Sequence, residues 1–195
     1  MKKFLSLLLL TFVCLSSVAM ARPVKIARLP IIIQHNKLDA ETSAALETKF
    51  ARVVNIPLNQ TLKVAEYIPP NDSAQALQNI WQKMYVKDKK SKMTDAVKTL
   101  ARDIRADIVI CPILRRYSQI VSPSNLSFES RLASSVSAEL IVYDKRTGNL
   151  IDKKSSRSFN NTYNRLGTAS YLAGECFDTL IKETKLRQTI HNIKN

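Results

Sequence analysis

Glycine is nearly missing from this chain. Its 195 residues hold three, and Gly148, Gly167 and Gly174 each stand alone. A phosphate-binding loop needs clustered glycines so that backbone N–H groups can approach the anion. The sequence therefore speaks against nucleotide binding through a P-loop or a dinucleotide loop. Histidine is equally scarce, with two residues. Neither His35 nor His191 lies near a cysteine or a carboxylate pair at metal-ligand spacing, so both read as solvent-exposed. No GxSxG elbow is present, and no nucleophile has a base partner beside it in sequence. Aromatics make up 7%, which leaves few platforms for stacking nucleic-acid bases. Cysteine numbers three, too few for a disulfide framework. Long apolar runs are absent except at the start of the chain.

That start has the three parts of an export signal in order. Lys2 and Lys3 give a positive segment, Phe4 to Leu15 an apolar one, and Ala19-Met20-Ala21 a small-x-small cleavage site. Cleavage is expected between Ala21 and Arg22, so that 1–21 is a signal peptide and 22–195 a single extracytoplasmic domain, periplasmic or secreted. Twelve residues are short for a membrane span, which needs roughly 20. Cys14, preceded by Phe12-Val13, fits a lipid-attachment site badly. The whole chain carries a formal charge of +14, and loss of Lys2 and Lys3 leaves +12 on 174 residues. A charge of this size bears on partners and solubility. Cys111 and Cys176 remain after cleavage. Both fit small buried hydrophobes, with a disulfide between them as the alternative.

Hydrophobic periodicity then divides the chain. Residues 23–33 read as a buried first strand, and residues 40–54 as an amphipathic helix capped by Asp39 and ended by Pro57. Residues 62–68 alternate as a second strand. Asp72 or Ser73 caps a helix whose apolar face holds Ala76, Leu77, Ile80, Trp81 and Met84. A lysine-rich connection leads to a helix capped by Thr94. Ile108 to Leu114 forms a third strand, and Pro112 within it suggests an edge or a bulge. Residues 118–127, rich in Ser, Asn and Pro, read as a loop. Leu132, Ser134, Val136, Ala138, Leu140 and Val142 alternate with polar neighbours along a fourth strand. Asp144–Asn149 is a hairpin turn with Gly148 at its positive-φ position. Residues 150–159 return, 160–165 are a polar linker, and a long terminal helix begins at Thr168. The expected fold is α/β: a mixed five-stranded sheet, with a parallel N-terminal part and an antiparallel C-terminal hairpin, packed by helices.

Three stretches resemble the CsgG-like superfamily of bacterial envelope domains. They are Val24-Lys25-Ile26-Ala27-Arg28-Leu29-Pro30, the helix-to-strand step Leu100 to Val109, and the hairpin Leu140 to Ile151. That group includes curli secretion-channel lipoproteins, lipoprotein activators of penicillin-binding proteins, and the N-terminal domain of the Tol system's periplasmic propeller protein. The chain departs from the group in lacking a lipidated N-terminal cysteine. It also carries Cys111-Pro112 where glycine is usual, and it looks too short for membrane-spanning hairpins. The resemblance implies a non-enzymatic binding or adaptor domain of the envelope.

No catalytic residue, cofactor or metal is expected. The basic residues form two clusters, candidate contacts for an anionic envelope polymer or a protein partner. One holds Lys83, Lys87, Lys89, Lys90 and Lys92. The other holds Lys145, Arg146, Lys153, Lys154 and Arg157. A solvated surface that discourages edge pairing of the hairpin is the competing explanation of the charge. An extracellular nucleic-acid or glycopolymer binder stays open. So does a carboxylate-dependent secreted hydrolase, for which Glu41 with Glu47, Asp103 with Asp107, or Glu139 with Asp152 would supply the paired acids. The mature chain is expected to have no transmembrane segment and to be a monomer or a weak homo-oligomer.

Overall fold

The computed structural model describes residues 22–34, 38–123 and 130–193. The expected signal segment, including Ala21, lies outside them, as do His35 and residues 124–127 of the expected loop. The fold class is α/β, with a mixed sheet packed by helices. Strands β1 (Val24–Arg28), β3 (Ala65–Ile68), β4 (Ile108–Pro123), β5 (Ser130–Asp144) and β6 (Asn149–Thr162) run in the order β3-β1-β4-β5-β6. A sixth strand, β2 (Ile32–Ile33), pairs with β4 in line with β1. Strands β1, β2, β3 and β4 pair in parallel, and β4-β5-β6 is antiparallel.

Helices cover both faces. On one lie α1 (Ala40–Val54), α5 (Ala169–Glu183) and α6 (Leu186–His191). Their Leu46, Phe50, Cys176, Phe177 and Leu180 pack on Ile26, Ile108, Ile110, Leu140 and Val142. Phe50 and Phe177 meet edge to face at 5.1 Å, a favoured aromatic geometry. On the other face α3 (Pro70–Lys87) and α4 (Met93–Asp103) press Leu77, Ile80, Val97 and Leu100 on Ala27, Val109, Cys111, Ile113 and Ile141. A single turn, α2 (Asn59–Leu62), precedes β3. Because successive strand residues point to opposite faces, Cys111 and Cys176 belong to opposite sides of the sheet. Both are free thiols, and burial pushes both thiol pKa values up.

Several local expectations change. The first strand breaks at Leu29-Pro30-Ile31, and the second starts at Ala65 because the chain turns through α2. Pro112 is in an interior strand, not at an edge. It is tolerated because it falls where β1 has ended, at the Arg28–Ile110 pair, and β2 begins, at Ile32–Ile113. The bulge lies three residues on, between Leu114 and Arg116. Residues 118–123 continue β4 instead of forming a loop, and β6 extends to Thr162, into the supposed linker. The terminal helix is two helices, broken where Lys185 takes φ 52°. Asp39 does cap α1, its Oδ1 accepting from Thr42 N at 2.7 Å. By contrast α3 starts at Pro70, ahead of Asp72, and α4 at Met93, ahead of Thr94. Gly148 has φ 70°, as the hairpin requires.

Candidate binding surface

Strands β4, β5 and β6 are 16, 15 and 14 residues long, against 5 for β1 and 4 for β3. Their outer halves therefore run beyond the inner core. One face of this extension is closed by α5 and the 3-10 turn Arg165–Gly167, over Leu132, Val136 and Phe159. The closure is tight, because a Cβ on Gly167 would lie 2.3 Å from the Phe159 ring.

The opposite face is bare, polar next to the bulge and with Ile120 exposed further out. Two rows cross the three strands in register, Arg116–Ser137–Ser156 and Ser118–Ser135–Ser158. Arg116, Ser156 and Ser158 are exposed, and Ser135 and Ser137 are half-buried. The bulge puts Arg115 on this face too, since its guanidinium Nε donates to Glu139 Oε2 and its Nη1 donates to Gln34 Oε1 at 3.0 Å. A shallow hollow of about 590 Å³ results, its described lining drawn from Gln34 and the three strands.

At the inner margin of this face Glu139 and Asp152 meet. Hairpin register places Glu139 opposite Lys154 and Ile141 opposite Asp152, so the two acids are diagonal neighbours on one face. The Glu139 side chain is 2% exposed and ion-paired with Arg115. Burial, then the nearby Glu139 charge, pushes the Asp152 carboxyl above its ordinary range. The hydrogen bond from Arg115 to Glu139 in turn raises the Arg115 pKa. The other acid pairs are engaged separately. Glu47 accepts from Arg28 and from Ile31 N, and Asp107 accepts from Arg22 and from Lys25 N. Asp103 pairs with Arg102, and Glu41 sits in the first turn of α1.

Of the basic residues, Lys83 and Lys87 are exposed on α3, Lys89 and Lys90 in the turn after it, and Lys92 at the start of α4. They form one exposed cluster at the α3–α4 corner. The hairpin cluster is divided by strand alternation. Lys153 and Arg157 align with Leu140 and Val136, on the α5 side, where Arg157 Nη2 donates to Thr179 Oγ1 at 3.3 Å. Lys154 aligns with Glu139, on the bare face. Lys145 is exposed at the hairpin tip. Arg146 folds back on Asp144, Nη2 to Oδ2 at 2.7 Å, and so braces the turn. Burial alone would raise the Asp144 carboxyl, but hydrogen bonding and charge from Arg146 hold it below the usual value. Arg22 is exposed and reaches Asp107 at 2.8 Å.

The rows on the bare face escaped the sequence reading. Their signal was the polar half of the alternation in residues 133–139, which marks a face without stating its use. Among the described residues no helix is long and apolar enough to cross a membrane.

No family model and no curated protein matches the chain. Solved structures to which it is similar include the lipoprotein GNA1162 from Neisseria meningitidis, at 15% identity and a TM-score of 0.35, over 82% of this chain and 99% of that one. A second is the hypothetical protein CT253 from Chlamydia trachomatis, at 12% identity and 0.42, over 83% and 95%. A third is the C-terminal domain of LpoB from Salmonella enterica, at 11% identity and 0.32, over 74% and 89%.

Proposed function

We propose that this is an exported, non-enzymatic binding or adaptor domain of the bacterial envelope, and that the bare face of the β4-β5-β6 extension is its working surface. The CsgG-like resemblance of the strand, helix-to-strand and hairpin segments belongs to the same proposal. One observation carries it: a three-stranded sheet closed by a helix on one side and left open on the other. An antiparallel sheet commonly buries one face and solvates the other with polar side chains. Here the solvated face presents short hydroxyl side chains in register, with guanidinium groups at one border. Short side chains leave the backbone close to the surface, so a partner can approach closely, and the hydroxyls and Arg116 supply directional contacts. The free chain is a monomer or a weak homo-oligomer in this reading.

Affinity capture from envelope extracts tests the proposal. The parent is expected to retain a discrete protein, and Ser137→Tyr with Ser156→Tyr, which fills the hollow, is expected to lose it. Capture of nothing by the parent, or equal capture by both, contradicts the reading.

The meeting of Glu139 and Asp152 favours a second reading, a carboxylate-dependent hydrolase, since two neighbouring carboxyls are the groups that acid–base hydrolysis uses. What supports binding over catalysis is that Arg115 already occupies Glu139, at the margin of an open face. Hydrolysis of envelope glycopolymers by the parent and not by Asp152→Asn would establish the enzyme instead.

A further inference from the structure

Beside the polar hollow lies a second cavity of different character. It is a slot of about 290 Å³ between α3, the start of α4 and the β1–β2 connection. Leu29, Ile32, Leu77, Trp81 and Met93 form its apolar walls, and Gln34 is also in its lining. Leu29 and Leu77 are buried, while Ile32, Trp81 and Met93 are half-buried, so the slot opens to solvent. Trp81 is held in place by stacking on Tyr85, with ring centroids 6.5 Å apart.

Gln34 also lines the polar hollow, and its Oε1 accepts from Arg115. The two cavities therefore share a wall, apolar on one side and cationic on the other. Arg115 is neutralised by Glu139. Arg116 is exposed and has no ion-pair partner among the described residues. The Ser137 and Ser156 hydroxyls share its row.

We propose that slot and hollow together form a two-part site for an extended acidic peptide of a partner protein. One aromatic side chain fills the slot against Trp81 and Met93, and a neighbouring carboxylate is held by Arg116 with Ser137 and Ser156. This rests on the binding-domain reading and names the chemistry of the partner. The slot's volume is at the low end for a ligand pocket, which spans roughly 300–1,000 Å³. It is the size for one large side chain, not for a cofactor or a long acyl chain. Trp81 and Met93 both favour an aromatic guest, through ring–ring and sulfur–ring contacts. Charge complementarity sets the second part, because a guanidinium and hydroxyls match a carboxylate.

Trp81 is the only tryptophan of the chain, which makes its fluorescence a report on the slot itself. The intact protein is titrated with acetyl-Ser-Phe-Asp-Ser-amide and acetyl-Ser-Asp-Phe-Ser-amide. Controls replace Phe by Ala or Asp by Lys, and decanoate stands for an acyl ligand. At least one Phe–Asp peptide is expected to shift Trp81 emission saturably at roughly millimolar concentration, as suits a contact of a few residues. The Ala and Lys controls are expected to bind about tenfold more weakly or not at all, and Arg116→Gln to weaken the Phe–Asp peptide by about tenfold. A silent Trp81 with every peptide overturns the inference. So does a response to decanoate alone, or equal binding of the Lys peptide. If envelope capture succeeds and depends on Ser137 and Ser156 while Trp81 stays silent, the slot inference falls and the binding-face reading stands. If capture fails while the peptides bind and Arg116→Gln weakens them, the peptide site stands and the envelope-adaptor role falls.

Discussion

The inner and outer halves of the central sheet are built from the same strands under opposite rules. In the inner half every residue of β4 from Ile108 to Leu114 is buried, and helices lie on both faces. In the outer half the same strand runs from half-buried to fully exposed, from Arg115 to Pro123, and only one face is closed. The change happens at the bulge between Leu114 and Arg116, with the Arg115–Glu139 pair beside it. Inside that point, apolar burial holds the sheet. Outside it, backbone pairing and α5 hold the sheet and leave a face free for other work. In the proposed reading, stability belongs mainly to the inner half and recognition to the outer.

The largest effect is expected deep in the inner half. Phe177→Ala removes a fully buried ring packed edge-on against Phe50, and should cost about 3–5 kcal/mol in chemical denaturation. A value near zero would mean the inner core is not where stability resides. The boundary comes next. Arg115→Met leaves the Glu139 carboxylate, 2% exposed, without its partner, at about 2–3 kcal/mol. Glu139→Gln in the same background should recover part of that loss, because the stranded charge is gone.

Asp152 sharpens the comparison through pH. Its folded pKa is raised from 3.8 by burial first and by Glu139 next. The stability it contributes is therefore present below 3.8 and lost as pH rises through its folded value. At pH 7 its ionisation is a cost, lessened by solvent because Asp152 is exposed, so Asp152→Asn should raise Tm slightly at pH 7 and leave it unchanged at pH 3. Asp144 has the opposite sign. Arg146 holds it below 3.8 against the effect of burial, so its contribution is present above 3.8 and fades as pH falls through its folded value. A Tm difference between parent and Asp152→Asn that grows toward pH 3 would contradict the assignment.

The smallest stability effects belong to the surface. Ser137→Ala and Ser156→Ala on the bare face should each fall within about 0.5 kcal/mol of the parent. Lys87, Lys89, Lys90 and Lys92 changed to Gln should be equally mild in thermal melts, since exposed charges contribute little. If the α3–α4 corner tracks a polyanion, that variant should flatten the salt dependence of heparin or DNA binding by up to about three log units per log salt. Identical slopes for parent and variant would leave those lysines as a solvated surface.

Most of the inner half was legible in the sequence, because burial there imposes strict periods. The Ala138-to-Val142 end of the fourth strand's alternation, the Asp39 cap and the Gly148 turn each follow from one local rule. The outer half was harder to read. Residues 118–123 look like a loop because a strand paired on one side only, with β5, and wet on one or both faces needs no apolar pattern. The Glu139–Asp152 contact was one of three acid pairs open in sequence, and only the hairpin register selects it. Trp81 reads from sequence as one more core position on an amphipathic helix, and its half-exposed slot depends on how α3 meets the β1–β2 break. The hairpin's basic residues look like one patch, but alternation sends Lys153 and Arg157 to one side and Lys154 to the other.

The claim that the bare face is the working surface is tested most directly by site-specific photo-cross-linking in intact cells. A benzoylphenylalanine is placed in turn at Ser135 and Ser158 on the bare face, and at Glu175, exposed on α5 on the opposite side. The account predicts a discrete higher-mass adduct from Ser135 and Ser158 and none from Glu175. Adducts from Glu175 alone, or equally from all three positions, would contradict it.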